Sequence, residues 1–214
     1  MTMEGPQTVT NKIIFLQTGG TIDKDYPHTT KGWAFEFGKE PAIQRILDKL
    51  DPSFEYEIVT VCKKDSLEIT DRDRECMVQR ILDAGFSSSC FVVTHGTDTM
   101  MDTAAYLHRR LEAETSNTIA ASSAAILTRF VVITGAMRPE RFTNSDAPMN
   151  VGSAIGTIQL LQEQQNQKEQ EKTPDTTTSG SSSSNNNNNV YIAMHGVVKP
   201  FDTIQRDMTT GKYF

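Results

Sequence analysis

Two short stretches combine hydroxyl side chains with glycines at points where an apolar run ends. The first is Thr18-Gly-Gly-Thr21, which follows the run Lys12–Gln17, and the second is HGTDTM, His95–Met100, which follows Cys90–Thr94. Glycine permits a sharp turn and lets backbone N–H groups approach a ligand closely. A threonine hydroxyl in such a turn is a candidate nucleophile, and neighbouring N–H groups are candidate donors to an oxyanion. Together the stretches indicate acyl-transfer chemistry, although threonines that merely cap a turn would explain the first stretch taken alone.

Adjacent residues of the second stretch could serve a substrate in complementary ways. Thr97 and Asp98 are neighbours in the chain, so both side chains can face a site at a loop apex. A carboxylate there could hold a substrate ammonium group, and capping of the following helix by Asp98 or Thr99 is compatible with that role. His95 is a candidate base, but the sequence places no acidic partner for it, which favours a structural hydrogen-bonding role.

Five short apolar runs predict the strands that must position these stretches. They are Lys12–Gln17, Glu55–Val61, Cys90–Thr94, Phe130–Thr134 and Val190–Met194. Successive apolar residues are typical of parallel strands covered on both faces. Helical spacing follows Pro41, follows a capping-box pattern at Thr70 and Asp73, and recurs from Met101 and from Val151. The order predicts an α/β fold with three layers, a mostly parallel sheet with helices on both faces.

The other three predicted strand exits also carry polar residues, at the sheet edge where ligands bind in open parallel sheets. They are KKDSLEIT (Lys63–Thr70), GAMRPERFTNSD (Gly135–Asp146) and HGVVKPFD (His195–Asp202). Arg138 and Arg141 could bind a substrate carboxylate. Pairing with Glu140 or Asp146 is equally consistent with the sequence, and Ser145 and Asp146 are as suited to bracing the loop as to touching substrate.

The domain organisation is inferred from changes in composition along the chain. We predict a tail over residues 1–11 and one α/β domain over residues 12–214. Residues 113–129 are small and polar, then apolar, and we interpret them as a surface extension before a strand. Residues 162–189 contain no aliphatic or aromatic side chain, so we expect a disordered low-complexity insertion on the return path to the last strand.

Charge and cysteine usage exclude several classes of partner. With 21 Lys plus Arg against 27 Asp plus Glu, the net charge is −6, which argues against nucleic acid or an anionic membrane as a partner. No run of 18 apolar residues predicts a membrane span, and the N-terminus lacks the pattern of a secretory signal. The three cysteines show no CxxC or Cys–His spacing. We therefore expect no metal site and a reducing cytoplasmic location.

Several blocks together resemble the N-terminal domain of bacterial-type L-asparaginases. They are TGGTI, HGTDTM, ITGAMRP and the serine, aspartate and asparagine at positions 145, 146 and 150. The blocks TGGTIDKDYP and KKDSL resemble the short single-domain members of that family. The resemblance implies a Rossmann- or flavodoxin-like fold that hydrolyses asparagine, or a related small carboxamide, through threonine attack and an acyl-enzyme. It implies no cofactor, and it makes a homodimer plausible.

The resemblance also assigns roles by position. Thr21 matches the primary nucleophile, Thr97 the second threonine, and Asp98 the acid beside it that also binds the substrate's α-amine. Ser66 would contact the α-carboxylate. The substrate-binding set is Gly20, Ser66, Gly96, Thr97 and Asp98. We expect backbone N–H groups around Gly20 and Thr97 to hold the oxyanion.

Two catalytic positions differ from the family pattern. The place of the family's lysine falls near Arg206, which could stabilise charge but not accept a proton; Lys199 and Lys212 are nearby substitutes. The family's activating tyrosine aligns with Trp33, and Tyr26 is the available hydroxyl.

A second hypothesis therefore stays open. Full-length relatives have a further domain that donates an acid across a subunit interface, and Leu67 stands where a glutamine is common. The chain could be a catalytically weak or inactive amino-acid-binding module, or a subunit of a larger amidase. A nucleotide-binding domain is disfavoured because no phosphate loop appears. The long connection Asp23–Gly38 suits a mobile lid over the site.

Overall fold

A six-stranded sheet organises the computed structural model, which describes residues 12–27, 34–85, 88–121, 128–170 and 189–214. Its strands are β1 (Ile13–Gly19), β4 (Tyr56–Lys64), β5 (Cys90–Thr94), β6 (Phe130–Thr134), β7 (Val190–Met194) and β8 (Val197–Pro200). A separate two-stranded pair joins β2 (Lys24–Asp25) to β3 (Glu36–Phe37). The helices are α1 (Ala42–Leu50), α2 (Asp71–Asp83), α3 (Met100–Ala121) and α4 (Ala147–Gln170).

The sheet order is β4-β1-β5-β6-β7-β8, with the first five strands parallel and β8 antiparallel to β7. This confirms the predicted α/β class. β5, β6 and β7 have the predicted bounds, and β1 and β4 extend beyond their predicted carboxyl ends.

Alternation of side chains along β1 explains the three layers. Every residue of β1 is buried. Ile13 and Phe15 join an apolar cluster with α1 and α4 on one face. Ile14 and Leu16 join a second cluster with α2 and α3 on the other. Each such side chain contributes about 1.5–3 kcal/mol when fully buried.

Side-chain caps fix where two helices begin. The Thr70 N–H donates to the Asp73 carboxylate over 2.8 Å and the Asp73 N–H to the Thr70 hydroxyl over 3.4 Å, as the sequence predicted. Before α1, the Asp23 carboxylate accepts the Ala42 N–H over 2.7 Å. Burial raises the pKa of Asp23 in spite of that bond. The chain leaving β1 is thereby tied to the start of α1.

Helices continue into two stretches that the sequence placed outside regular structure. α3 reaches Ala121, so residues 113–121 are helical, and α4 reaches Gln170. The expectation of disorder is therefore wrong for residues 162–170. Glutamine, glutamate and lysine are good helix formers, and here they extend a helix whose first half is packed on the sheet. Residues 122–127 and 171–188 lie outside the described residues.

The fifth predicted exit is a hairpin turn rather than a loop of the site. His195 and Gly196 have φ of 55° and 76°, and they connect β7 directly to β8. Positive φ at both positions defines a type I′ turn. The glycine of HGVVKP therefore serves strand reversal.

None of the described helices is long and apolar enough to cross a membrane.

Candidate active site

The two threonine-bearing stretches leave neighbouring strands at the reversal point of the sheet. β1 pairs with β4 on one side and β5 on the other, and the chain visits β4 before it crosses to β5. In sheets of this order the connections diverge to opposite faces, which opens a crevice at the carboxyl ends. TGGT follows β1 and HGTDTM follows β5, so both lie at this crevice.

Two glycines allow the stretches to touch backbone to backbone. A Cβ on Gly20 would lie 2.3 Å from the Gly96 nitrogen, and a Cβ on Gly19 would lie 2.5 Å from the Lys64 oxygen. Their φ angles are +78° and +101°, which side chains rarely adopt. Thr21 directly follows Gly20, and Thr97 directly follows Gly96. The close approach brings both threonines to one edge of the sheet.

The exit of β4 completes the same edge. Ser66 is buried, and a Cβ on Gly96 would lie 2.6 Å from the Ser66 Cβ. The Thr99 hydroxyl donates to the Ser66 carbonyl over 2.7 Å. Lys24 bridges to Asp65, the neighbour of Ser66, over 2.7 Å. The structure therefore brings together Gly20, Ser66, Gly96 and Thr97.

The two threonines of TGGT have different surroundings. Thr18 is buried, and its hydroxyl donates to the Thr94 carbonyl over 2.8 Å, which ties β1 to β5. Thr21 is partly exposed, and its hydroxyl makes no hydrogen bond within the described residues. The Thr97 hydroxyl is likewise without a hydrogen-bond partner in the described part of the chain. Thr18 is structural, and two hydroxyls stay available for chemistry.

A family model for the N-terminal domain of asparaginases matches residues 12–169. The chain belongs to the asparaginase family. It is 27% identical over 149 residues to a glutaminase-asparaginase of Acinetobacter glutaminasificans, covering 68% of this chain and 41% of that protein. It is 28% identical over 162 residues to L-asparaginase 2 of Escherichia coli, covering 73% and 41%.

Solved asparaginase structures share the fold. L-asparaginase I of Vibrio cholerae superposes with a TM-score of 0.64 at 16% identity, covering 96% of this chain and 51% of that one. The thermostable L-asparaginase of Thermococcus kodakarensis gives 0.59 at 20% identity, covering 91% and 47%. The chain thus spans about half or less of the length of the asparaginases that it matches.

The backbone N–H groups near Gly20 and Thr97 differ in whether the fold already uses them. The Gly20 N–H donates to the Lys64 carbonyl over 2.9 Å, just beyond the end of the pairing between β1 and β4. The Gly20 N–H itself is therefore not available to an oxyanion, and among the groups around Gly20 the expectation rests on the N–H of Thr21. The N–H groups of Thr21, Thr97 and Asp98 have no acceptor among the described residues. These are the candidate oxyanion donors.

Arg206 reaches the site, but its guanidinium is bound to the loop that carries Thr97 and Asp98 and is not free to contact a ligand. Its Nη1 donates to the Thr97 carbonyl over 3.0 Å and lies 3.3 Å from the Asp98 carboxylate. Tyr213, which the sequence analysis did not single out, donates its hydroxyl to the same carbonyl over 3.0 Å. The sequence gives little indication of this role, because Tyr213 lies far from every motif. Lys199 and Lys212 are exposed, and neither pairs with an acid of the described chain.

Tyr26 lies after β2, in the connection that leaves Thr21. Its ring packs against Phe142 with centroids 6.0 Å apart, and its N–H donates to the Asp25 carboxylate over 2.9 Å. None of its described contacts is with Thr21, so its role as an activating hydroxyl stays a prediction. Trp33 lies outside the described residues, as does the middle of the predicted lid.

The exit of β6 is braced through backbone groups. The Asp146 carboxylate accepts the N–H groups of Met137 and Arg138 over 3.0–3.1 Å. The Ser145 hydroxyl donates to the Arg138 carbonyl over 2.9 Å. Asn150 is buried and donates to Asp146 over 2.8 Å. Of the two open interpretations for Ser145 and Asp146, these contacts favour bracing.

The two arginines of that loop have different partners. Arg138 Nη1 donates to the Asn144 carbonyl over 2.7 Å. Arg141 pairs with Asp25 over 2.8 Å, which fastens the connection after β1 to the exit of β6. Glu140 is buried and pairs with Arg45 and Lys49 of α1 over 2.7 and 2.8 Å. In the described structure, neither arginine side chain forms an ion pair with Glu140 or Asp146, the two partners considered from the sequence.

His95 is a buried structural residue. Its Nδ1 donates to the Gly96 carbonyl over 2.7 Å, which leaves Nε2 to accept the Thr103 hydroxyl over 2.9 Å. The Thr103 oxygen in turn accepts Arg74 Nε–H over 3.1 Å. Burial lowers the pKa of His95 to about 4. This supports the structural role over the role of a base.

The depressed pKa of His95 predicts a dependence of stability on pH. Between about pH 6.5, where an unfolded histidine titrates, and about pH 4, the unfolded chain binds a proton that the folded chain does not. The free energy of unfolding should therefore fall as pH falls through this window, by about 3 kcal/mol in all. Urea denaturation at intervals from pH 7 to pH 4 measures this slope.

His95→Gln should flatten the slope, whereas His108→Gln, which leaves the buried imidazole in place, should keep it. An equal slope in wild type and His95→Gln would show that other groups cause the pH dependence.

The described residues include no group of three His, Cys, Asp or Glu side chains that could hold a metal ion.

Proposed function

We propose that the chain is an asparaginase-like amidohydrolase that converts L-asparagine, or a related small carboxamide, to the acid and ammonia. The observation that carries the proposal is the close approach of Gly20 to Gly96. These glycines directly precede Thr21 and Thr97, whose hydroxyls make no hydrogen bond within the described residues. Membership of the asparaginase family supports the reaction class.

Thr21 is the proposed nucleophile. Its oxygen attacks the amide carbon, and its proton passes to the leaving nitrogen, which departs as ammonia. Water then attacks the resulting ester, releases the acid and restores the hydroxyl. The half-buried Thr21 in the tight turn after β1 suits this role, because the turn holds it at the crevice.

Negative charge on the amide oxygen needs fixed donors. The N–H groups of Thr21 and Thr97 are the proposed oxyanion donors, since neither is used within the described fold. Preorganised backbone donors require little reorganisation as charge develops, and removing one donor of this kind typically costs about 100–1000-fold in rate.

Charged groups of the site favour a zwitterionic substrate. The Asp98 carboxylate is half exposed and could accept a substrate ammonium group. The buried Ser66 hydroxyl, beside Gly96, is the proposed donor to the substrate carboxylate. Arg206 neutralises part of the Asp98 charge, so an ammonium group must share that carboxylate with it.

We predict that the purified chain releases ammonia from asparagine with a kcat/KM at least about tenfold above that for propionamide, because one charged hydrogen bond is worth about 1.5–3 kcal/mol. Glutamine is the size control within the same assay. Ammonia release from propionamide at the same efficiency as from asparagine would contradict the assignment of Asp98 and Ser66.

A catalytically weak binding module is the second candidate, and the contacts of Arg206 favour it. The residue at the family's lysine position cannot accept a proton, and it is already engaged by Thr97 and Asp98. Calorimetry separates the two candidates. Aspartate or asparagine binding without ammonia release would establish the binding module, and neither binding nor release would overturn both.

The cytoplasmic location, the homodimer, the mobile lid and the disorder expected for residues 171–188 stay predictions from the sequence.

A further inference from the structure

The last ten residues form a short antiparallel arm, Gln205–Phe214, which we call the C-terminal hairpin. Gln205 and Phe214 exchange two backbone hydrogen bonds of 3.0 Å, and the Asp207 N–H donates to the Lys212 carbonyl over 2.8 Å. The Asp207 carboxylate accepts the Thr210 hydroxyl over 2.7 Å, a bond that lowers the pKa of Asp207. The hairpin is thus braced internally.

Tyr213 anchors the hairpin to the fold. Only 3% of Tyr213 is exposed, and it belongs to the apolar cluster beneath α2 and α3. Its N–H donates to His195 Nδ1 over 3.3 Å. The Arg206 guanidinium lies 5.8 Å from the centre of the Tyr213 ring. The two side chains are therefore held beside each other.

Both side chains converge on one carbonyl of the site. The Tyr213 hydroxyl and Arg206 Nη1 each donate to the Thr97 oxygen over 3.0 Å. A carbonyl has two lone pairs, and both are used here. In a planar trans peptide the carbonyl and the following N–H point in opposite directions. Fixing the Thr97 oxygen therefore aims the Asp98 N–H, which has no acceptor among the described residues, away from the hairpin.

We propose that Tyr213 and Arg206 are positioning residues, and that the C-terminal hairpin sets the orientation of the Thr97–Asp98 peptide for catalysis. The catalytic part of this inference rests on the proposed amidohydrolase function. Arg206 acts through Thr97 and Asp98 and not as a proton acceptor. The hydroxyl of Tyr213 is a specific requirement, because its ring alone would fill the same apolar space.

Tyr213→Phe keeps the ring and removes one donor. We expect kcat to fall by about tenfold with KM within about twofold, since substrate contacts remain while the reacting geometry loosens. The NMR order parameter of the Asp98 amide should fall from about 0.85 towards 0.6. Tyr191→Phe, a half-buried tyrosine of β7 outside the site, is the matched control and should change neither value.

Arg206 provides the second pair of variants. Arg206→Met should lower kcat and the Asp98 order parameter as Tyr213→Phe does, and Arg206→Lys, which restores one donor, should recover part of both. These variants also serve if Tyr213→Phe fails to fold.

Ammonia release by the wild-type protein tests the proposed amidohydrolase function independently of the role of the C-terminal hairpin. If wild type is inactive, that function fails, and the order parameters alone decide whether the hairpin orients the peptide. Unchanged order parameters in Tyr213→Phe and Arg206→Met would overturn the inference whatever the activity. In an active enzyme, an unchanged kcat in both variants would overturn it as well.

Discussion

Replacing Thr21 with alanine is expected to lower kcat for asparagine by at least about 1000-fold while the fold stays intact, because loss of a nucleophile removes the covalent route. The Thr21 hydroxyl makes no hydrogen bond within the described residues, so its removal leaves no buried group unpaired. Thr21→Val, which keeps the shape, should be equally inactive, and Thr21→Ser should retain part of the activity. Steady-state ammonia release and thermal denaturation measure the two effects.

Thr18→Ala is the matched control, since Thr18 is the other threonine of the TGGT stretch and lies at the end of β1. It leaves the buried Thr94 carbonyl without the hydroxyl that bonds it over 2.8 Å. We expect a loss of about 1–3 kcal/mol of stability and activity that persists at permissive temperature. Full activity of Thr21→Ala would refute the nucleophile assignment.

Gly20→Ala should be strongly destabilising although it adds only one methyl group. The residue has φ +78° and ψ −174°, a region that is essentially restricted to glycine. The added Cβ would lie 2.3 Å from the Gly96 nitrogen, which is backbone and cannot rotate away. We expect the free energy of unfolding to fall by at least about 3 kcal/mol, from strain and overlap combined. Activity should be lost even where the protein remains folded.

Gly156→Ala tests the same substitution without those constraints. Gly156 lies in α4, and nothing is within 4 Å of its would-be Cβ. Alanine should stabilise the helix there by about 0.5–1 kcal/mol. Urea denaturation of the two variants compares them directly, and equal stabilities would contradict the close contact between the TGGT and HGTDTM stretches.

The strands and the meeting of the two stretches could be predicted from sequence because they depend on local patterns and on general rules of parallel sheets. Apolar runs such as Phe130–Thr134 identify buried strands, and strand exits then share one edge. The capping pair Thr70 and Asp73 could be predicted from sequence because both partners lie within one helical turn. Each of these features is encoded over a few neighbouring residues.

Features that depend on contacts between residues far apart in the sequence could not be predicted in the same way. The Gly20 N–H is engaged because β4 runs alongside β1, which depends on pairing between residues 44 positions apart. Tyr213 meets Thr97 across more than a hundred residues, with no motif to mark it. The turn at His195 and Gly196 was misread because glycine serves ligand loops and hairpins alike. The helical character of residues 162–170 was missed because composition was weighed above helix propensity.

The lengths of α3 and α4 have a consequence for where this chain can vary. Both helices start at the carboxyl edge of the sheet, beside the crevice, and run back past its amino edge, to Ala121 and Gln170. The next strands, β6 and β7, begin at that amino edge, opposite the edge where Thr21 and Thr97 lie. Changes in chain length at the amino edge should leave the spacing of the crevice unchanged. The sequence at that edge can therefore vary, whereas the residues at the carboxyl edge are constrained by the proposed chemistry.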